Sequence, residues 1–170
     1  MARFFILFVV LLASLFAIEI LQTVQDHVIL PFTGLLADIS VAIISAFDDN
    51  VAASGKVIRS TVNGFAVSIE AGCNGVEAVI ILFAAIFAFP APFRYQLLGF
   101  GIGFIAIQSL NLVRIISLFY LGQWSMTAFK WFHLYLWQAL IILDALVVWL
   151  VWLRYLPRFK RPPDPDPLPA

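Results

Sequence analysis

The sequence predicts an all-α polytopic membrane protein: four transmembrane helices, an interfacial helix and a small extracytoplasmic β-hairpin. Three observations carry that reading. Residues of the AVILMFWYC set make up 63% of the 170 positions and DEKR only 12%, against roughly 45–50% and about 25% in an ordinary soluble domain. The apolar residues fall in runs long enough to cross a bilayer. The mean hydropathy is +1.01, an excess of apolar surface that a chain of this size cannot hide in its own interior. A soluble monomer and a disordered chain are both excluded. Ten basic and ten acidic residues cancel, so no overall field attracts nucleic acid. One cysteine excludes an intrachain disulfide framework and a cysteine-rich zinc site.

The first span covers residues 4–21 and is apolar until Glu19. At 1.5 Å per residue it reaches roughly 27 Å, near the hydrocarbon thickness. Its length, and the lack of a clean A-x-A site, favour an uncleaved anchor over a cleaved signal peptide. Residues 28–47 are apolar but carry Pro31, Gly34, Asp38 and Ser45. On a helical wheel Phe32, Leu35, Leu36, Ile39, Ile43 and Ala46 share one side, while Gly34, Asp38, Ser45 and Asp49 share another. That pattern predicts a helix in the interface or against the bundle. Residues 57–62 and 65–70 flank Asn63-Gly64, the pair favoured in a type I′ hairpin. Pairing outward matches Val62 with Phe65, Ser60 with Val67 and Ile58 with Ile69 on a mainly apolar face. Such a hairpin would cap the bundle or grip an extended peptide. The remaining spans are residues 75–89, closed by Pro90 and Pro92, then 95–120 and 134–153. Residues 1–157 read as one membrane-embedded domain. The tail, 158–170, alternates proline with aspartate after a basic cluster and reads as a disordered cytoplasmic segment.

Charge sets the orientation. Positive residues stay cytoplasmic. Four crossings place Arg3, Arg94 and the cluster Arg154, Arg158, Lys160 and Arg161 on that side. The acids Asp26, Asp38, Asp48, Asp49 and Glu70 then face outward. Trp124, Trp131 and Trp137 fall near the outer end and Trp149 and Trp152 near the inner end, as aromatic belts do.

Within this frame a few polar residues require a reason. Cys73 lies in Ala71-Gly72-Cys73-Asn74-Gly75, where two glycines permit a sharp turn and the following helix start favours a thiolate. Arg114 lies inside an apolar span, at a cost of at least ~2.5–3.5 kcal/mol on insertion scales. Gln108, Asn111, Arg114 and Ser117 recur every three residues as a polar stripe. Arg114 stands roughly 28 Å above Tyr95, at the level of Cys73. His133 opens the last span at the same boundary. Three segments thus bring Cys, Arg and His to one depth. A thiolate attacks a carbonyl, a histidine moves the proton, and an arginine stabilises the thiolate or the oxyanion. Glu77, one turn below Cys73, is placed to hold Arg114 or to protonate. Asp144 lies ~16 Å deeper than His133, placed for a structural hydrogen bond. Gly99-x-x-x-Gly103 offers a small-residue contact face. The chemistry requires no metal and no organic cofactor.

The ordered set Ala71-Gly72-Cys73-Asn74-Gly75, Asn111-x-x-Arg114 and His133 resembles the exosortase/archaeosortase family, and Cys73-Asn74-Gly75-Val76-Glu77-Ala78 is most similar to its exosortase H branch. The resemblance covers roughly residues 64–153. It implies a multi-pass cysteine protease/transpeptidase of the inner membrane of Gram-negative bacteria, with its active site facing the periplasm. Implied substrates are exported proteins with a C-terminal motif (IPTLxxWG-type for that branch), a transmembrane helix and a basic tail. Cleavage would pass through a thioester to an acceptor: water, an amine or a lipid headgroup. Cys73 is then the nucleophile, Arg114 the transition-state stabiliser and His133 the acid/base, with Asn74, Glu77, Gln108 and Asn111 in support. The rival reading is a non-catalytic membrane scaffold or assembly factor, in which Arg114 and Glu77 form a structural pair and Cys73 packs. A small transporter fits less well, because the polar groups gather at one surface.

Overall fold

The computed structural model describes residues 2–156; the tail read as disordered, 158–170, lies outside the described residues. Five helices and one sheet make up the described chain. α1 (Ala2–Glu19) is the uninterrupted apolar run expected near the N-terminus. Leu21 is extended, at φ −62° and ψ 129°, and separates it from α2 (Gln22–Ile44). The turn Gln25–Ile29 of α2 is π-helical. Pro31 explains the wider turn: its ring crowds the carbonyl four residues back, and it has no N–H to return. α3 (Val76–Ala88) starts at Gly75, whose φ is +75°, and stops before Pro90. α4 (Phe93–Trp124) follows Pro92 at its N-cap and runs 32 residues, about 48 Å, well beyond a hydrocarbon core of about 30 Å. α5 (Met126–Tyr155) starts at Ser125, whose Oγ accepts the Ala128 N–H at 3.3 Å.

Four of these helices, α1, α2, α4 and α5, are long and apolar enough to cross a membrane. The chain is an all-α polytopic membrane protein with a small sheet. Residues 28–47, read as interfacial, mostly belong to α2, which begins earlier at Gln22. Both ends of α2 are tied to neighbours. Gln25 Nε2 donates to Glu19 O at 2.8 Å, and just beyond Ile44 the Asp48 carboxylate accepts from Tyr120 Oη at 3.2 Å. Residues 75–89 correspond to α3, whose 13 residues extend only about 20 Å.

The hairpin expected over residues 57–70 is part of a three-stranded antiparallel sheet, β1 (Val51–Ser54), β2 (Val57–Ser60) and β3 (Ala66–Ser68), in the order β1-β2-β3. Its register differs from the expected one. Ile58 faces Val67, not Ile69, and Ser60 N–H donates to Phe65 O at 2.8 Å. A type I′ turn needs positive φ at both central residues, but no non-glycine residue among the described residues has one. Asn63 instead spends its side chain locally: Oδ1 accepts the Phe65 N–H at 2.9 Å, and Nδ2 donates to Gln123 Oε1 at 2.7 Å. The loop is therefore four residues long, pinned to the end of α4. The slip is by two residues, so each side chain keeps its face. β1 escaped the sequence reading. It joins β2 through Gly55-Lys56, with Gly55 at φ +56°.

Two apolar clusters hold the fold. One gathers Leu36, Ala37 and Ile44 of α2, Ile58 of the sheet, and Ile115 and Phe119 of α4, with Cys73 packed against it. The other gathers Ala78, Leu82 and Ile86 of α3, Ile107 of α4, and Ala145 and Trp152 of α5. The expected Gly99/Gly103 contact face lies in the second. A Cβ on Gly99 would collide with the Trp152 indole, and one on Gly103 with Leu82 and Val148.

Candidate active site

The site forms where the loop after β3 turns into α3. Gly72 and Gly75 take left-handed φ of +81° and +75°, and Cys73 N–H donates to Glu70 O at 2.9 Å. The loop thereby folds the thiol towards α4 and α5. Gly75 also has to be small. A Cβ there would sit 3.0 Å from Gln108 Nε2.

Arg114 is 2% exposed. Its Nη2 donates to Cys73 Sγ at 3.4 Å and its Nη1 to Gly72 O at 3.1 Å. His133 comes from the opposite wall. Its Nδ1 and Nε2 both stand 3.9 Å from Cys73 Sγ, so either nitrogen is a small ring movement from accepting the thiol proton. The imidazole stacks on Phe129, centroids 5.6 Å apart and planes within 6°. It also sits in a π-helical turn, Phe132–Leu136, a local distortion that recurs at functional sites. The three residues singled out from the sequence thus meet at one sulfur.

The supporting residues divide. Asn74 is 1% exposed; its Oδ1 accepts the Val76 N–H at 3.1 Å and its Nδ2 donates to Thr33 Oγ1 at 3.3 Å. Asn111 Nδ2 donates to Gln108 Oε1 at 3.4 Å. Both amides lie under the Cys73 loop. Glu77 does not pair with Arg114: among the described residues the one ion pair is Lys56–Glu70. Glu77 Oε1 instead accepts the Gly72 N–H. Gly72 is thus held through both of its peptide units, its N–H by Glu77 and its C=O by Arg114. Asp144 has no hydrogen bond among the described residues. It lines a cavity of about 250 Å³ between α4 and α5, together with Asn111, Arg114 and Trp137.

The resting state of the thiol differs from the sequence expectation. Burial pushes the Cys73 thiol above its ordinary value; Arg114 pulls it down, and Glu77 and Glu70 push it up further. Cys73 precedes the first residue of α3 by three positions, so the helix end does not dominate. Burial thus favours the neutral thiol, with the His133 imidazole beside it.

Thr33 and Phe129 went unnoticed in the sequence. Thr33 looks like one more residue of an apolar helix, and its bond to Asn74 spans 41 positions. Phe129 is one of 17 phenylalanines, and nothing in the pattern marks it as a ring that orients a histidine.

The family model described as Transmembrane exosortase (Exosortase_EpsH) matches residues 1–151. No curated protein and no solved structure matches the chain. The chain belongs to the transmembrane exosortase family.

Proposed function

We propose that this exosortase-family protein is a membrane cysteine protease/transpeptidase that cleaves C-terminal sorting signals of exported proteins and passes them to an acceptor. The observation that carries this reading is the contact set at one sulfur: Arg114 Nη2 at 3.4 Å and both His133 nitrogens at 3.9 Å. The steps follow from those positions. His133 takes the proton from Cys73 as the sulfur–carbon bond forms at the scissile carbonyl. The Arg114 guanidinium, already at the sulfur and shielded from water, stabilises the negative charge that moves to the carbonyl oxygen. The carbon–nitrogen bond then breaks, and His133 returns the proton to the leaving amine. The thioester is resolved by the O–H or N–H of an acceptor. His133 removes that proton, and the sulfur–carbon bond breaks to restore the thiol.

Substrates are exported proteins whose tails carry a short motif, a transmembrane helix and a basic end. The distribution of positive residues favours a bacterial inner-membrane protein with this site on the periplasmic side. The scaffold reading needed an Arg114–Glu77 pair; Arg114 faces the cysteine loop instead.

The test is co-expression with a reporter: a tagged secreted domain ending in an IPTLxxWG-type motif, a hydrophobic span and a basic end. The parent should shorten the reporter, and Cys73→Ala, Arg114→Ala and His133→Ala should not. Normal processing by Cys73→Ala overturns the proposal.

A further inference from the structure

A slot of about 100 Å³ opens beside Cys73. Residues 67–70 line one side, and Phe129 and His133 stand on the other. No residue of β1 or β2 reaches it, because the order β1-β2-β3 places them behind β3. The slot therefore runs along the free edge of β3. Antiparallel pairing alternates residues that bond the partner strand with residues that turn away. Ser60 N–H donates to Phe65 O, and Ile69 N–H donates to Lys56 O at 3.0 Å. Phe65, Val67 and Ile69 thus address β2, and Ala66 and Ser68 turn their N–H and C=O outward. Both are exposed. Glu70 O accepts the Cys73 N–H, so the nucleophile is folded back onto the end of this same edge.

An open edge invites another strand, and proteins that avoid this blunt it with lysine, proline or a bulge. β3 carries small Ala66 and Ser68 there instead. An extended main chain is the partner whose alternating donors and acceptors match the outward pair at Ser68.

We propose that the free edge of β3 is the docking track for substrate: an extended peptide segment adds as a fourth strand at Ser68, and this pairing sets its scissile carbonyl against Cys73. The proposal rests on the acyl-transfer reading above. Backbone pairing fixes depth and direction, and the slot walls select alternate side chains.

The test compares the parent with Ser68→Pro and Ser68→Ala in the full chain. The Ser68 N–H does not serve the β2–β3 ladder, so proline removes the edge donor together with the hydroxyl that bonds Glu70, and alanine removes the hydroxyl alone. Ser68→Pro should cut reporter cleavage at least about tenfold, and Ser68→Ala, which keeps the edge N–H, should cut it less. Alkylation of Cys73 by iodoacetamide should be equal in all three. A Ser68→Pro protein that cleaves at the parent's rate overturns the proposal, as does a Ser68→Ala protein that falls as far. If Ser68→Pro also alters alkylation, a second measurement decides. Synthetic peptides of the reporter motif, each with one backbone N-methyl group, are given to the parent in nanodiscs. Cleavage should fall at alternate positions; losses without alternation, or no losses, overturn it. A parent that leaves the reporter intact is a different failure, that of the acyl-transfer reading itself.

Discussion

The α3–α4–α5 bundle around Leu82 and the cap around Cys73 both bury polar side chains, and they treat them differently. In the bundle, Gln96 Nε2 donates to Ile86 O at 3.3 Å and Phe89 O at 3.0 Å, and Trp152 Nε1 donates to Tyr95 O at 3.0 Å. The Trp137 and Trp149 Nε1 atoms of α5 are the exceptions there among the described residues. Around the cysteine, Arg114 Nε, Asn111 Oδ1, Gln108 Nε2 and Glu77 Oε2 are all buried without a partner among the described residues. Each such atom costs about 1–3 kcal/mol of desolvation. The cap therefore retains polar capacity that its own fold does not use, next to the Cys73 thiol, while in the bundle two indole N–H groups are left open among the described residues. Paired and unpaired polar groups thus gather in different parts of the fold.

The sharpest way to break that division is a crossed pair of substitutions. Arg114→Leu should lower reporter cleavage by about 10²–10³-fold or more and leave stability unchanged or raised, since an apolar side chain replaces a buried charge with an open valence. Leu82→Ala, at a position 0% exposed, should do the reverse. It should cost about 2–5 kcal/mol and leave the rate per folded molecule within about twofold. Steric-trap unfolding in bicelles reads stability, and the reporter reads chemistry. If Leu82→Ala lowers the rate per folded molecule as much as Arg114→Leu does, the two halves are not separable.

Within the bundle, Gly99→Ala sharpens the same point at smaller amplitude. The new methyl meets an indole that cannot yield freely, because its Nε1 is bonded to Tyr95 O. Overpacking of this kind costs about 1–3 kcal/mol. The unfolding midpoint should drop, and Cys73 alkylation of the folded fraction should not change.

The same division explains what the sequence made legible. The helices announce themselves by long apolar runs, and Arg114 by its cost within one of them. Cys73 and His133 follow from the depth at which their segments begin. What stays hidden depends on contacts between distant residues. Asn63 declines the type I′ turn because Gln123, 60 positions away, is there to bond it. β1 is hidden because Val51–Ser54 is a strand only when Val57–Ser60 lies beside it. Glu77 sits one turn from Cys73 as expected, but its choice of the Gly72 N–H over Arg114 is decided by where the loop turns. Polar residues in an apolar chain reveal that there is a site; their partners are set by tertiary packing.

The pH dependence of Cys73 probes how the cap holds its charge. Burial raises the thiol and Arg114 opposes it. Iodoacetamide labelling of the folded protein should therefore rise with a midpoint above the ordinary thiol value of about 8.5, and the denatured chain should titrate near that value. The linkage sign follows: the contribution to stability is intact below the unfolded value and is lost as pH rises through the folded one. Arg114→Gln removes the opposing pull and should move the midpoint further up. A folded midpoint below that of the denatured chain would mean a preformed thiolate, with His133 no longer needed as the first base.

The smallest effect belongs to the Lys56–Glu70 pair, and its smallness bears on how the cap is built. The side chains are 35% and 60% exposed, so solvent screens the pair and its worth is at most about 0.5 kcal/mol. The Glu70 carboxyl is held below its ordinary value by the bonds from Lys56 and Ser68. That contribution is present above the unfolded value of about 4.3 and is lost as pH falls through the folded one. Lys56→Met should thus shift the unfolding midpoint only slightly at pH 7, and by less as the pH falls and Glu70 takes up its proton. The strand edge is set by backbone bonds and by Ile58 and Ile69 beneath it, so it should keep its shape and the reporter should be cleaved at the parent's rate. A large loss of cleavage with Lys56→Met would place the ion pair, rather than the backbone ladder, in charge of how the cysteine loop is presented.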